Sequence, residues 1–469
     1  MTKFFDIVVV GAGPAGLAAA HAAATALGGP GARGGSGAGV GDGAAGAETG
    51  VTGVEAGAEA GASADSAKRS GAARGGIAII DDNPLAGGQI WRGGPAKQPD
   101  QRARALWQAL QAADNVTFLP ATRVLMQTQP GELLLQDAGQ AHTIRYNRLI
   151  LATGARELLL PFPGWTLPGV TGAGGLQALA KGGYPVQGKR VVVAGSGPLL
   201  LAVAATLKER GATVAAIIEQ AGLPALARFA AGLALTPTKA LQALKLGASL
   251  RGIPYYKDSY VSAACGDEKL GAVLVQHKGR SVDIACDYLA CGYGLLPNTE
   301  LARALGCAIE GGAVKTDPWQ HTSVANVLCA GEGTGVGGVD LALVEGHIAG
   351  LAAAGQSSAA QAYFAERDKW RGFAARLAQA FAPRAELRAL PQPDTIVCRC
   401  EDVCHDELRG QASWRSAKLH TRCGMGPCQG RICGNATDFL YGWRPDAVRT
   451  PISPARAGSI ITLEPHKET

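Results

Sequence analysis

The sequence predicts an α/β protein: two Rossmann-like units followed by a small helical module built around cysteines. Three observations carry this. A Val-rich apolar run enters Gly11-Ala-Gly13-Pro-Ala-Gly16, a second such run enters Gly195-Ser-Gly197, and Cys398–Cys433 holds six of the eleven cysteines. A chain of 469 residues allows two to four domains of ~100–200 residues each. Hydrophobic residues make up 47 %, a globular share. The net charge of +6 is spread along the chain without a long Lys/Arg block, which argues against nucleic-acid binding.

Phe4–Val10 reads as a buried parallel strand. The glycine turn and an Ala/Leu helix to about Leu27 follow. Strand, tight turn and helix is the context a dinucleotide fingerprint requires. Gly11 makes the turn, Gly13 lets backbone approach a pyrophosphate, and Gly16 lets helix and strand pack closely. The helix start offers N–H groups and a partial positive charge to phosphates. The acid that should then bind ribose is delayed by 28–76, almost wholly Gly, Ala, Ser and a few charges. Such a composition buries too little apolar surface to order itself, so it reads as a disordered insert in a surface loop. With it set aside, Asp81 closes the strand Ile77–Ile80 about 20 residues beyond Gly13, the spacing of the ribose acid.

Asn83–Gln89, with Gly87 and Gly88, is a loop of turn formers able to bring backbone against a flavin ring. A helix over Asp100–Ala113, weak strands near Thr117–Val124 and Glu132–Leu135, and a buried strand Arg148–Thr153 closed by Gly154 come next. The second unit runs from a strand at Val191–Ala194 through Gly195, Gly197 and a helix to Arg210, into a strand Thr213–Ile218 that ends at Glu219. Leu200 replaces the third glycine and is expected to push helix and strand apart. A live NAD(P) site at Gly195, Gly197 and Glu219 and a retained fold with an altered nucleotide site both stay open. Asp287–Gly294 closes this unit. Val327–Ala330 then enters Gly331-Glu332-Gly333 before a helix from about Leu341, which would present a carboxylate to a ribityl chain or backbone to a flavin. The first domain is therefore read as discontinuous.

The candidate FAD-binding residues are Gly11, Gly13, Pro14, Ala15, Gly16, Asp81, Gly88, Gln89, Thr153, Gly154, Gly331 and Glu332. The expected organisation is an FAD domain at 1–186 and 301–357, a second nucleotide domain at 187–300, a helical connector at 358–392, a cysteine domain at 393–445 and a tail at 446–469. Eight histidines are scattered, and no acid–base pair stands out as catalytic. The N-terminus lacks a signal-peptide cleavage pattern, and the uncharged run Val191–Leu207 is shorter than the ~20 apolar residues of a spanning helix. A cytoplasmic protein is expected, peripheral to the inner membrane face only through a complex.

In the C-terminal module, Cys398-Arg-Cys400 and Cys428–Cys433 form two close pairs, with Cys404 and Cys423 nearby. Thiolate pairs in a reducing compartment suit a metal or an iron–sulfur cluster. Zinc pairs are usually spaced by ~2–4 residues. The single residue between Cys398 and Cys400 favours [2Fe–2S]. The ligand set read here is Cys398, Cys400, Cys428 and Cys433; the rival set replaces Cys433 with Cys423, and Cys404 is a bystander. Gly424, Gly426 and Gly430 would let backbone N–H groups reach the sulfurs, and Arg399, Arg422 and Arg431 would offset the cluster's charge.

CRCE at Cys398–Glu401 and TRCGMGPCQGRIC at Thr421–Cys433 resemble the bacterioferritin-associated-ferredoxin type of cluster domain. Together with PFPGWTLPGV at Pro161–Val170 and GYGLLPNTEL at Gly292–Leu301, they resemble the flavoprotein subunits of heteromeric amino-acid and opine dehydrogenases. That group includes the flavoprotein components of opine oxidase, D-hydroxyproline dehydrogenase and hydrogen cyanide synthase. The likeness covers nearly the whole chain except the insert; Cys404 and Cys423 depart from the usual pattern. It implies a glutathione-reductase-like FAD/NAD(P)-binding fold, FAD in the first domain and a [2Fe–2S] cluster in the last. It also implies a D-amino-acid-oxidase-like flavoprotein partner that carries the amine, and a small ferredoxin-like [2Fe–2S] subunit. The expected reaction is oxidation of an amino acid or opine, of the D-hydroxyproline, proline or glycine type, to an imine. Electrons would leave through FAD and the cluster to a quinone or other acceptor. Two alternatives are a self-contained NAD(P)H-dependent reductase and a non-catalytic, zinc-stabilised assembly subunit. No CxxC lies beside the first flavin loop or in the second unit, which argues against a thioredoxin-reductase role.

Overall fold

The computed structural model describes residues 2–28, 76–94, 98–445 and 447–461. The insert read at 28–76 lies, apart from its first and last residues, outside them. The strand Lys3–Val10 pairs in parallel with Ile77–Ile80 on one side and with Ala141–Leu151 on the other. Val116–Leu119 extends the sheet beyond Ile77–Ile80. The first half of Ala141–Leu151 pairs with Glu132–Gln136, and its second half with Val327–Cys329. All four residues of Ile77–Ile80 are buried, as an apolar run with both faces covered requires. The helix Pro14–Ala26 lies against Gly338–Ala353. A Cβ at Gly346 would fall 2.3 Å from the Ala15 carbonyl oxygen, and one at Gly350 2.2 Å from that of Ala19. These two glycines let the helix backbones touch.

Two expectations for this unit are corrected. The stretch Thr117–Val124 is two strands, Val116–Leu119 and Arg123–Gln129, broken at Pro120-Ala121 where Ala121 takes φ +50. Arg148–Thr153 is the end of a longer strand, Ala141–Leu151, whose polar first half hid it.

The chain leaves through Ala155–Glu157 and returns through Leu295–Pro297, and these two segments pair antiparallel. The second sheet is parallel throughout, in the order Tyr255–Tyr256, Thr213–Glu219, Arg190–Gly195, Tyr288–Gly292, Val170–Gly172. Val170–Gly172 and the helix Ala173–Lys181 therefore belong to the second unit, ahead of the expected boundary at 187. A three-residue strand with little apolar content gives too weak a pattern to read. An antiparallel sheet of Ser259–Cys265, Ala272–His277 and Arg280–Ala285 packs alongside.

The connector is helical over Ser357–Gln361 and Phe364–Ala380. The last module pairs Ile396–Cys398 with Val403–Cys404 and adds helices His405–Arg409, Trp414–Thr421 and Cys433–Tyr441. Its core is Val397, Val403, Leu408, Trp414, Ala417 and Ala436, with three cysteines. The segment read as a tail returns to the first unit: Ile452 is buried in that core and its N–H donates to the Leu125 carbonyl at 2.8 Å. Among the described residues no helix is long and apolar enough to cross a membrane.

Candidate functional site

In the first unit the glycines do separate jobs. Gly11 has φ +107, and a Cβ there would fall 2.2 Å from the Ala152 carbonyl oxygen. A Cβ at Gly16 would fall 1.8 Å from the Gly11 oxygen. At Gly13 a Cβ would meet nothing within 4 Å. This glycine is the N-cap of Pro14–Ala26, and the helix carries no side-chain cap. Pro14 sits in the first turn, where its missing N–H costs nothing. The uncapped helix start thus faces open space, with first-turn N–H groups and a partial positive charge available to an anion.

Asp81 is fixed beside that space. Its carboxylate accepts from the Ala12 N–H at 2.7 Å, the Asn83 N–H at 2.8 Å and Asn83 Nδ2 at 2.9 Å. A carboxylate has about four lone-pair sites, so capacity remains for a ribose hydroxyl. The glycine loop closes from the other side. Gly87 donates to the Ala12 carbonyl at 2.7 Å, and a Cβ on Gly88 would stand 3.3 Å from the Gly13 Cα. Gln89 is exposed, and its Oε1 accepts from Arg92 Nε at 2.8 Å. Thr153 donates through Oγ1 to the Asn298 carbonyl at 2.7 Å, and Asn298 answers with Nδ2 to the Thr153 carbonyl at 2.9 Å. These bonds pin the two crossing segments together beside Gly154, whose surroundings are open.

Gly331, at φ +76, packs where a Cβ would fall 2.6 Å from the Ala15 Cβ. Its N–H donates to Glu345 Oε2 at 3.0 Å. Glu332 accepts from the Gly338 N–H through Oε1 at 2.9 Å, while its buried Oε2 has no partner among the described residues. Burial pushes this carboxyl up, and the backbone N–H groups only partly offset it. An open glycine cradle, a ribose-type acid and an orphaned carboxylate oxygen fit a dinucleotide such as FAD. Glu345 was missed in the sequence. It is 1 % exposed, takes Thr334 Oγ1 as well as Gly331, and pairs with Arg371 at 2.8 Å. Its only signal was an acid inside a small-residue helix.

In the second unit Gly195 repeats Gly11: a Cβ would lie 2.0 Å from the Gly292 carbonyl oxygen. Glu219 repeats Asp81, accepting from the Gly197 and Ala221 N–H groups at 2.8 Å each. It is 1 % exposed, and burial pushes its carboxyl up to about 7. Leu200 does not force the helix off the strand. A Cβ on Gly292 would stand 3.4 Å from Leu200 Cδ2, so the bare glycine on the neighbouring strand makes the room.

The cysteine module gathers five thiols. The Sγ atoms of Cys398, Cys423 and Cys433 all lie within 4.8 Å of one another, and all three residues are buried. The thiol of Cys428 neighbours that of Cys433 and, on its other side, that of the exposed Cys400. The thiols of Cys423 and Cys433 draw Cys398 well below the ordinary thiol range, and Cys433 does the same for Cys428. Cys423 and Cys433 are pushed up by the same shared protons. Sulfurs that must share protons so closely are a donor set suited to a soft cation or an iron–sulfur cluster. Cys423 therefore enters the group together with Cys433 rather than in its place.

Cys404 stands aside as the cap of His405–Arg409. The Gly424 N–H reaches the Cys398 sulfur, and that of Gly430 the Cys428 sulfur. Gly426 serves space instead, since a Cβ would fall 2.3 Å from the Cys400 Cβ. The three arginines have partners of their own, and Arg431 also donates to the Cys428 carbonyl at 3.4 Å. Arg399 lies over the Trp165 ring, Arg422 pairs with Glu401 at 2.7 Å, and Arg431 bonds to the Ile452 carbonyl. A half-buried cation at this end is Arg156, next to the flavin-side segment and invisible in the sequence. It donates to the Arg431 carbonyl at 3.1 Å and to Asn298 Oδ1 at 2.8 Å, and pairs with Glu300 at 2.8 Å. Burial lowers its pKa, and Cys428 is close enough to act on it. Trp165 adds a second tie, donating to the Ile396 carbonyl at 2.6 Å.

The pyridine nucleotide-disulphide oxidoreductase family profile matches residues 5–358. The A component of the opine oxidase of Rhizobium meliloti (strain 1021) is 34 % identical over 82 % of this chain and 93 % of its own length. The HcnB component of the hydrogen cyanide synthase of Pseudomonas aeruginosa is 32 % identical over 69 % of this chain and 77 % of its own. Among solved structures, L-proline dehydrogenase from P. horikoshii matches with a TM-score of 0.61, covering 98 % of this chain and 80 % of that one at 17 % identity, a likeness of fold.

Proposed function

The chain belongs to the pyridine nucleotide-disulphide oxidoreductase family of flavin-dependent oxidoreductases, and from that membership we propose that it is the flavin- and iron–sulfur-bearing subunit of a heteromeric amino-acid or opine dehydrogenase. The carrying observation is one of placement: Arg156 joins the segment beside the first cradle to the Cys428–Cys433 loop by direct hydrogen bonds.

In this reading Gly13, the start of Pro14–Ala26 and Gly88 bind the pyrophosphate of FAD. Asp81 takes the ribose, and Glu332 offers Oε2 to a ligand hydroxyl. Cys398, Cys400, Cys428 and Cys433 are the proposed ligands of a [2Fe–2S] cluster, with Cys423 the fifth thiol beside them. When bound, the flavin would accept the electron pair that leaves the amine on the partner subunit, and the cluster would supply a one-electron outlet. Arg156 and Trp165 hold the two ends in fixed register. The Gly424 and Gly430 N–H groups favour a more negative charge on Cys398 and Cys428, which raises a cluster's reduction potential. The amine is assigned to a D-amino-acid-oxidase-like partner and the final outlet to a quinone or small ferredoxin-like subunit, in keeping with relatives that are themselves named as subunits of larger enzymes.

The test is to purify the full chain with its neighbouring gene products and measure flavin, iron and zinc. Flavin with iron is expected, and zinc without iron or flavin overturns the reading. Cys428→Ser should abolish the cluster's EPR signal while flavin is retained; an intact signal removes Cys428 from the ligand set. A dye-reduction screen over D-hydroxyproline, opines, proline and glycine then names the amine.

A further inference from the structure

We propose that Phe381 and the turn behind it fill the nucleotide cradle of the second unit, making Phe381 the residue that shuts nicotinamide dinucleotides out. In the first unit the space over Gly13 is open. At the matching glycine, Gly197, a Cβ would stand 3.5 Å from Cγ of the Phe381 ring and 3.7 Å from its Cβ. A pyrophosphate must come against this backbone and the helix start that follows it. The ring holds that volume.

The strap is tied down by the groups a nucleotide would use. Ser196, between the two glycines, donates through Oγ to the Phe381 carbonyl at 2.9 Å. Gln220, which follows the ribose-type acid, is 0 % exposed. Its Nε2 donates to Ser196 Oγ at 2.9 Å and to the Ala382 carbonyl at 2.8 Å. Its Oε1 accepts from the Arg384 N–H at 2.9 Å. Arg384 then spreads its guanidinium to Asp258 and, at 2.8 Å, to Glu386. The Phe381 ring is held edge-on by Phe229 at 5.1 Å. Glu219 is left with 1 % exposure, so ribose hydroxyls have no approach to it.

The consequence reaches the reaction. A chain closed in this way takes no electrons from NADH or NADPH at its second unit, so its flavin must be reduced from another source, such as a partner subunit. The inference rests on the strap's geometry and is independent of which metal the cysteines hold.

The experiment titrates NADH and NADPH into the intact chain by calorimetry and follows the flavin spectrum. Wild type should show neither saturable binding nor bleaching. Phe381→Ala should gain binding by roughly tenfold or more. Arg384→Ala, which loosens the strap without touching the cradle, should gain less. Phe381→Leu keeps an apolar plug and should behave as wild type, with bound flavin as the folding control. Should Phe381→Ala fail to hold flavin, Arg384→Ala carries the test alone. Binding or bleaching in wild type overturns the proposal, and so does a folded set of variants that all stay closed.

Discussion

Two glycine turns of nearly the same sequence end in opposite states. Gly11-Ala-Gly13 and Gly195-Ser-Gly197 both follow buried strands, both precede a helix, and both have an acid accepting the N–H groups of the turn. Over Gly13 there is open space, whereas over Gly197 lies an aromatic ring. Asp81 is half-buried; Glu219 is sealed. A fingerprint therefore specifies a cradle's backbone without specifying whether the cradle is free.

Substitutions at the glycines separate backbone need from ligand need. The largest effect is expected at Gly16. A Cβ 1.8 Å from the Gly11 oxygen and 2.9 Å from its carbonyl carbon meets backbone that cannot yield. Gly16→Ala should cost about 4 kcal/mol or more and release flavin; thermal denaturation with a flavin assay checks this. A stable, flavin-loaded variant would break the account of the first cradle.

Gly13 and Gly197 sharpen the contrast. Gly13→Ala enters open space at an ordinary φ of −77. It should leave the melting temperature of the apoprotein nearly unchanged while weakening FAD binding by roughly 10- to 100-fold, about 1.4–2.8 kcal/mol. Gly197→Ala meets φ +96 and the Phe381 ring. It should cost about 1–3 kcal/mol of stability and leave flavin content intact. Equal effects on flavin at both sites would erase the difference between the units.

The acids give a smaller, pH-dependent effect. Burial raises the Glu219 carboxyl from 4.5 to about 7. The folded chain then holds that proton more tightly than the unfolded chain. The associated stability is complete below 4.5 and is lost as pH rises through about 7. At most it is on the order of 3 kcal/mol. Glu219→Gln removes this slope, so wild type should lose stability relative to the variant between pH 5 and pH 8. Melting curves of both proteins at the two pH values decide it, and parallel behaviour counts against a sealed carboxylate.

The smallest effect is expected from deleting Gly31–Arg74, whose Gly, Ala and Ser composition offers little apolar surface to bury. Flavin content and melting temperature should stay close to wild type. Loss of both would mean that the delay before Asp81 is structural.

Much of the site was legible because its causes are local. Val-rich runs become buried strands, Gly11 and Gly16 are needed by backbone a few residues away or on the adjoining strand, and Asp81 sits at the end of its own strand. The crowding of cysteines was legible too, but spacing pairs Cys398 with Cys400, whereas the three sulfurs that lie together belong to Cys398, Cys423 and Cys433. Cys423 was harder to weigh, because its neighbours Cys398 and Cys433 reach it only through the fold of the module. Val170–Gly172 was too short to show a period, and Leu200 looked like a fault until Gly292 appeared beneath it.

By itself, then, the sequence determined the two strand–turn–helix cradles, their acids and the crowding of thiols near the C-terminal end. Backbone conformation and near-neighbour chemistry depend on the residues in place. Only the tertiary structure decided which cradle is open, that Arg156 meets the cysteine loop, and that Phe381 covers Gly197. Each of these joins residues more than a hundred positions apart. Such contacts are set by how whole elements pack, and no local pattern records them.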